Sequence, residues 1–420
     1  MKTGRRQKLS LVALVATTAV TLAACGSGST ASTGASGEGD TTGVTDTSVL
    51  VGTHMPLTGP AAAGYSKIPP ATQAYFDYVN EQGGVNGRTI EYKALDDGYN
   101  PSNTQQVVRE LVLQDRVFAL LGGLGTPTHS GVLDFLNTNN VPDLFVASGS
   151  RIWNQPDKYP NTFGFNADYT VEAKIMAQYV KDNLPGKKVC TLGQDDDLGG
   201  DYLAGVEQIV GADAVVEKQF YATSNTNVAP QIGALQAAGC EVVMLATIPG
   251  FTALAIGTAG RLGFRPQWTT ASVGGDYLTL SKTLGDAAPL AEGLLSTNYL
   301  PSHFSQDDEW TTKFREINTK YNNDAEFDGN VVYGMSMAHT FVQALEAAGE
   351  NPTRESIVEA VRSSDFTGPN LVPFRFSEDD HSGAGGARVN QVTNGVQEYF
   401  GPAYTTTDAL GDPVVEYRAE

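Results

Sequence analysis

The chain has 420 residues, 41% hydrophobic and 18% charged, with 47 acidic against 27 basic side chains and a formal net charge of −20. That balance suits a folded protein whose surface repels phosphate backbones and anionic lipid, so nucleic-acid partners are excluded at the outset. The acidity reads as a solvated surface rather than a device for ligand capture.

Lys2, Arg5, Arg6 and Lys8 precede an uncharged stretch from Leu9 to Ala24, the pattern of an export signal and too short for a comfortable membrane span. Removal of residues 1–24 takes away four basic and no acidic side chains, moving the charge from −20 to −24. The stretch ends Leu22-Ala23-Ala24-Cys25, which resembles the lipobox of bacterial lipoproteins. The resemblance implies that Cys25 carries a diacylglycerol as the mature N-terminus, anchoring the chain to the outer face of the cell membrane; ordinary small-residue cleavage beside an incidental cysteine is the alternative. Residues 26–46 are almost wholly Gly, Ser, Thr, Ala and Asp, too poor in large apolar groups to bury a core. Residues 25–47 therefore read as a lipidated cysteine and flexible tether, with a reach of roughly 25 Å.

From Val49 onward short apolar strands alternate with amphipathic segments: "SVLVGTHMPL" then "PPATQAYFDYVNEQGG", "RTIEYKALDD" then "SNTQQVVRELVLQD", "VFALLGG" then "HSGVLDFLNTNN", then "DLFVAS". Such alternation predicts a parallel sheet with helices on both faces. It restarts at "DYTVEAKIMAQYVKDNL", where Asp168 is a plausible N-cap and Val171, Ile175 and Tyr179 fall one helical turn apart. "KKVCTLG", "AVVEKQFY", "CEVVMLA" and "QWTTAS" follow as strands between helical patterns. The fold class is thus α/β: two doubly wound parallel-sheet lobes, with a boundary near Phe163-Gly164-Phe165. Residues 296–420 add two long helical patterns, a short one and a β-like tail, too few to make a third domain. The expected lobes are 48–166 plus 298–371 and 167–297 plus 372–420, joined by a hinge of several crossings, with the two ligand-facing sheet ends opposed across a cleft.

Cys190 and Cys240 head two predicted strands in an oxidising compartment. They are either a disulfide, if their Cα atoms lie within about 7 Å, or two buried free thiols.

The turn "LLGGLGTPTHSG", residues 120–131, lies between a strand and a helix. Its third glycine position is Thr128 and no Gly-Lys-Ser/Thr is near, so it is a poor nucleotide loop. It offers hydroxyls instead, at Thr126, Thr128 and Ser130. Asp195-Asp196-Asp197 fails as a calcium loop, because Gly199 and Val206 occupy positions that need ligands, and reads as an acidic turn. His54, His129, His303, His339 and His381 are scattered without a zinc motif, and no nucleophile elbow surrounds His129-Ser130. No metal, cofactor or catalytic role is expected.

The succession of "PLTGPAAAGYS", "YFDYVNEQGGVNGRTIEYKALDDGYNPSNTQQVVRELVLQDRVFALLGGLGTPT", "VPDLFVASGSRIWNQPDKYPNTFGF" and "GQDDDLGGDYLAGV" is similar to the substrate-binding lipoproteins of branched-chain-amino-acid-type ABC importers, from about Val49 to about Phe400. The resemblance implies a type I periplasmic-binding-protein fold, with three crossings and two lobes that close on a small solute and deliver it to a membrane permease. By position it places Thr126 and Pro127, then Ser148, Gly149 and Ser150, at the solute's carboxylate or other polar head. Hydroxyls and a helix N-terminus would stand in for a full positive charge there; capping of the following helix by Thr126 and Thr128 is the competing reading, and the two roles can coexist. Tyr65 and Trp153 are candidate aromatic walls, Leu198 and Tyr202 line the second lobe, and Ile248 with Pro249 makes its mouth apolar. Amino-acid binders of the family usually carry a carboxylate where this chain has Ser272, the nearest acid being Asp276. Either Asp276 substitutes, or the solute is not an α-amino acid but another carboxylate or an amide. The expected protein is a monomeric solute receptor for an ABC importer, with a ligand-sensing receptor subunit on the same fold as the alternative.

Overall fold

The structure, a computed structural model, describes residues 39–419. The export signal, Cys25 and the tether up to residue 38 lie outside the described residues. Residues 39–46, counted with the tether from their composition, are pinned to the body. The Asp40 carbonyl accepts from Arg354 N at 2.8 Å, its carboxylate pairs with Arg354 at 3.2 Å, and Val44 bridges to Val49. Composition missed this because the anchor, the buried Arg354, lies more than three hundred residues away.

Among the described residues, thirteen strands form two sheets. The first contains β1 (Ser48–Met55), β2 (Thr89–Asp96), β3 (Ala119–Leu121), β4 (Asp143–Val146) and β5 (Thr162–Gly164), in the order β2-β1-β3-β4-β5, all parallel. The second contains β6 (Val189–Gln194), β7 (Val215–Tyr221), β8 (Val242–Ala246), β9 (Gln267–Thr270) and β10 (Leu295–Asn298), in the order β7-β6-β8-β9-β10, again parallel. It is extended antiparallel by β11 (Gly386–Thr393), β12 (Val396–Thr405) and β13 (Val415–Glu416). β3, β4, β6 and β8 are buried along their whole length, which is why they read in sequence as continuous apolar runs rather than alternating ones.

Both parallel arrays reverse direction at one place, between β1 and β3 and between β6 and β8. In an open α/β sheet ligands bind outside the carboxyl ends of the strands at such a point. The chain leaves the first sheet after β5 for the helix Tyr169–Asn183. It leaves the second after β10 for the helices Glu309–Tyr321, Gly329–Ala347 and Arg354–Ser363, and returns at β11. The helix Gly329–Ala347 packs on Ile68–Glu81 beside the first sheet. The crossings are stitched together: Gly164 N donates to His381 O at 3.0 Å, Ala384 N to Phe165 O at 3.2 Å and Leu371 N to Tyr299 O at 2.8 Å.

The Asp168 carboxylate caps Tyr169–Asn183 by accepting from Thr170 N and Val171 N at 2.6 and 3.3 Å. Cys190 and Cys240 form a disulfide between the head of β6 and the turn before β8, with Cα atoms 5.9 Å apart.

Candidate functional site

The turn after β3 is tighter than its sequence suggests. Gly125 has φ of +109°, open to glycine alone at little cost, and the chain then turns at once into the helix Thr126–Ser130. Pro127 sits in its first turn, where a missing N–H costs nothing. Thr128 Oγ1 donates back to Leu124 O at 2.7 Å, whereas Thr126 Oγ1 points elsewhere, to Ser148 Oγ at 2.8 Å. Tyr169 Oη donates to the same Ser148 Oγ at 3.4 Å, and Ser150 caps the short helix Arg151–Trp153. The Thr126 and Ser148 hydroxyls are thus buried and engaged with each other, while those of Thr128 and Ser150 are committed to the backbone.

Between the lobes lies a cavity with an empty volume of about 810 Å³, part of it open to solvent. The first lobe contributes Tyr65, Ile68, Leu124 and Ala147; the second contributes Pro249, Ser272, Val273 and Asp276. The crossing segments supply Asn166, Asn298 and Tyr299 through His303, and the start of Gly329–Ala347 supplies Asn330 and Tyr333. None of the lining residues is Lys or Arg. A smaller pocket of about 200 Å³ next to it is lined by Ser148, Gly149, Ser150 and Trp153, and shares Asn166 with the first.

Of the residues singled out in the sequence, Tyr65, Ser272 and Asp276 therefore meet in the large cavity and Ser148, Gly149, Ser150 and Trp153 in the small one. Thr126 stands behind Ser148. Pro127, Leu198, Tyr202 and Ile248 line neither; Leu198, Tyr202 and Ile248 are packed into the core. Asp276 has prior commitments: it caps the helix Tyr277–Leu284 through Thr279 N at 2.8 Å and accepts from Gly329 N at 3.0 Å. Asp196 likewise caps Asp197–Val210, between exposed Asp195 and Asp197.

Sequence spacing missed Glu172. It lies in the first turn of Tyr169–Asn183, fully buried, and its carboxylate accepts from Ser272 N and Ser272 Oγ at 2.8 Å each and from Thr297 Oγ1 at 2.5 Å. Asp276 is the acid nearest Ser272 in sequence; Glu172 is the acid bonded to it in space. Burial drives the Glu172 carboxyl up to about 7, against the pull of those three donors. Burial and the nearby Asp408 and Asp201 drive the Asp168 carboxyl up to about 8. The site is also rich in buried phenols that no motif announced. Tyr333 Oη donates to Asn166 Oδ1 at 2.8 Å, Tyr221 Oη to Gln194 Oε1 at 3.0 Å, and Gln194 Nε2 to Tyr99 Oη at 3.2 Å. The last bond joins one lobe to the other. Gln194 ends β6, and Ile248, whose N donates to Tyr221 Oη at 3.3 Å, follows β8, so this cluster sits at the second sheet's reversal point.

Among the described residues no group of three His, Cys, Asp or Glu side chains is placed to hold a metal ion, and no helix is long and apolar enough to cross a membrane.

A family model described as periplasmic binding protein matches residues 48–397. Leu/Ile/Val-binding protein homolog 1 of Brucella suis biovar 1 (strain 1330) is 23% identical over 318 residues, which span 73% of this chain and 80% of that protein. The fold is similar to that of a fatty acid ABC transporter substrate-binding protein from Thermomonospora curvata, with a TM-score of 0.78 and 22% identity over 88% of this chain and 95% of that one. It is similar also to a branched chain amino acid ABC transporter protein from Thermus thermophilus with bound valine, with a TM-score of 0.76 and 21% identity over 87% and 98%.

Proposed function

The chain belongs to the periplasmic binding protein family, and from that premise we propose that it is an extracytoplasmic, lipid-anchored receptor, monomeric, that captures a small polar organic solute between its lobes and delivers it to an ABC permease. The observation that carries the reading is the cavity at the meeting of both lobes and the crossing segments, in which tyrosines, amides and hydroxyls are set among apolar side chains such as Ile68, Leu124, Val273 and Val332. Such a lining holds a guest by neutral hydrogen bonds and releases it when the lobes part.

The charge pattern narrows the class of guest. Asp276 lines the cavity, Glu172 stands behind Ser272, and no lining side chain is a cation. A free carboxylate entering it would be desolvated beside an acid without a counter-ion, at a cost of several kcal/mol. An uncharged solute bearing amide or hydroxyl groups meets donors and acceptors alike. Of the three solute classes left open at Ser272, an α-amino acid paired with Asp276, another carboxylate and an amide, the amide is therefore favoured. The polar head would sit toward Ser148 and Ser150, with Tyr65 and Tyr299 on its flanks.

The test is a thermal-shift screen against amino acids, short amides, urea, aromatic acids and aliphatic carboxylates. A solute at a hundred times its dissociation constant adds about 2.7 kcal/mol of stability. Stabilisation by amides and not by matched carboxylates is the expected outcome; tight binding of leucine or valine would refute the amide assignment.

A further inference from the structure

Two of the five scattered histidines meet in the interior of the first lobe. His54, near the end of β1, and His129, in the helix Thr126–Ser130, lie with rings nearly parallel and His54 Nε2 2.9 Å from His129 Nδ1. The outer nitrogen of each faces a carboxylate: His54 Nδ1 lies 2.8 Å from Asp97 Oδ2, and His129 Nε2 lies 2.8 Å from Asp143 Oδ2. All four side chains have 0% exposure.

Three hydrogen bonds in a row need three protons. Two neutral imidazoles supply two, and if each gave its proton to its own carboxylate, two lone pairs would oppose each other at 2.9 Å. Two imidazolium rings would oppose two N–H groups instead. Only one proton beyond the neutral pair fits, and the four groups then carry a single negative charge.

The surroundings say where that proton resides. Asp97 is well provided for as an anion: Oδ1 accepts from Tyr99 N at 2.9 Å, and Oδ2 faces Thr104 Oγ1 at 2.9 Å as well as His54. Asp143 is not. Its Oδ2 meets Thr162 Oγ1 at 3.0 Å, while Oδ1 is buried without any partner. A bare oxygen is far costlier on an ionised carboxylate than on a neutral acid. The titratable groups facing His54 are Asp97, His129 and Asp143, and burial lowers its affinity for a proton. Trp153 closes the side of His129 with a ring edge.

We infer that Asp143 is held as a neutral acid and starts a one-way chain of donors: Asp143 O–H to His129 Nε2, His129 Nδ1–H to His54 Nε2, and His54 Nδ1–H to anionic Asp97. No bond other than these hydrogen bonds is made or broken, and the extra proton stays on Asp143. The chain ties the helix that begins with Thr126 to β1, β4 and the loop after β2. His54 and His129 are thus positioning residues for the turn that presents Leu124 to the cavity.

Two measurements test it. Nitrogen-resolved NMR of the histidine rings should find both His54 and His129 neutral and protonated at Nδ1, the minority tautomer of free histidine. Asparagine offers an N–H where the neutral acid offers an O–H, so D143N should hold the melting midpoint within about 2 °C of the parent. D97N, which places an amide N–H among three donors, should lose several degrees or fail to fold. A proton on His129 Nε2, an imidazolium at either ring, or D143N doing as much harm as D97N would overturn the assignment.

Discussion

The Tyr65 hydroxyl donates to the carbonyl oxygen of Val273 at 2.7 Å, a bond between the two lobes and between residues 208 apart in the chain. Gln194 with Tyr99, and Arg151 with Asp201 at 2.8 Å, join the lobes in the same way. The closed arrangement is therefore stabilised by the protein's own contacts, and a guest's affinity includes their contribution. Tyr65→Phe removes one such bond, worth about 1 kcal/mol. Solute affinity measured by calorimetry should fall roughly fivefold, while the melting midpoint of the solute-free chain changes little.

Glu172 and Asp168 bind protons more tightly folded than unfolded, held up to about 7 and about 8 by burial. The stability they confer is full below their ordinary carboxylate range and is lost as pH rises through 7 and 8. His303, His339 and His381, held down at about 4 by burial, act the other way: their stability is present above about 6.5 and is lost as pH falls toward 4. The melting midpoint should accordingly peak near about pH 6 and decline on both sides. Glu172→Gln keeps an acceptor for Ser272 N and should flatten the alkaline decline, raising stability at about pH 8 by up to about 3 kcal/mol.

The Cys190–Cys240 bridge closes a separation of 50 residues. Its loss by paired replacement with alanine should cost about 2–4 kcal/mol in denaturant unfolding. The fold should persist, since the bridge joins β6 to the turn before β8 in a sheet whose strands β6 and β8 are buried and already paired with each other.

Gly123 lies against the paired histidines. A Cβ there would come within 2.4 Å of His129 Nδ1 and 2.6 Å of His54 Nε2. Gly123→Ala should destabilise by about 1–3 kcal/mol, read from the midpoint of chemical denaturation.

The β/α alternation was legible because β3 and β8, buried on both faces, leave apolar runs in the sequence, and because Asp168 caps its helix by a local rule. What spacing cannot show is contact at long range. Glu172 and Ser272 are 100 residues apart and His54 and His129 are 75 apart, so neither pair forms a motif. Ser272 read as a missing acid because its partner comes from another helix. Leu198 and Tyr202 read as cavity walls from the family positions they match, yet both lie in the helix Asp197–Val210 with their side chains packed into the core. Thr126 and Ser148 lie side by side, and a sequence gives no sign that the two hydroxyls engage each other.

The most direct measurement is a crystal structure of the chain with the solute that the stability screen selects. The account predicts that solute between the lobes, in contact with Tyr65, Ser272 and Asn298, with its polar groups met by neutral side chains. A guest bound to one lobe alone, on the outer surface, or through a lysine or arginine would contradict it.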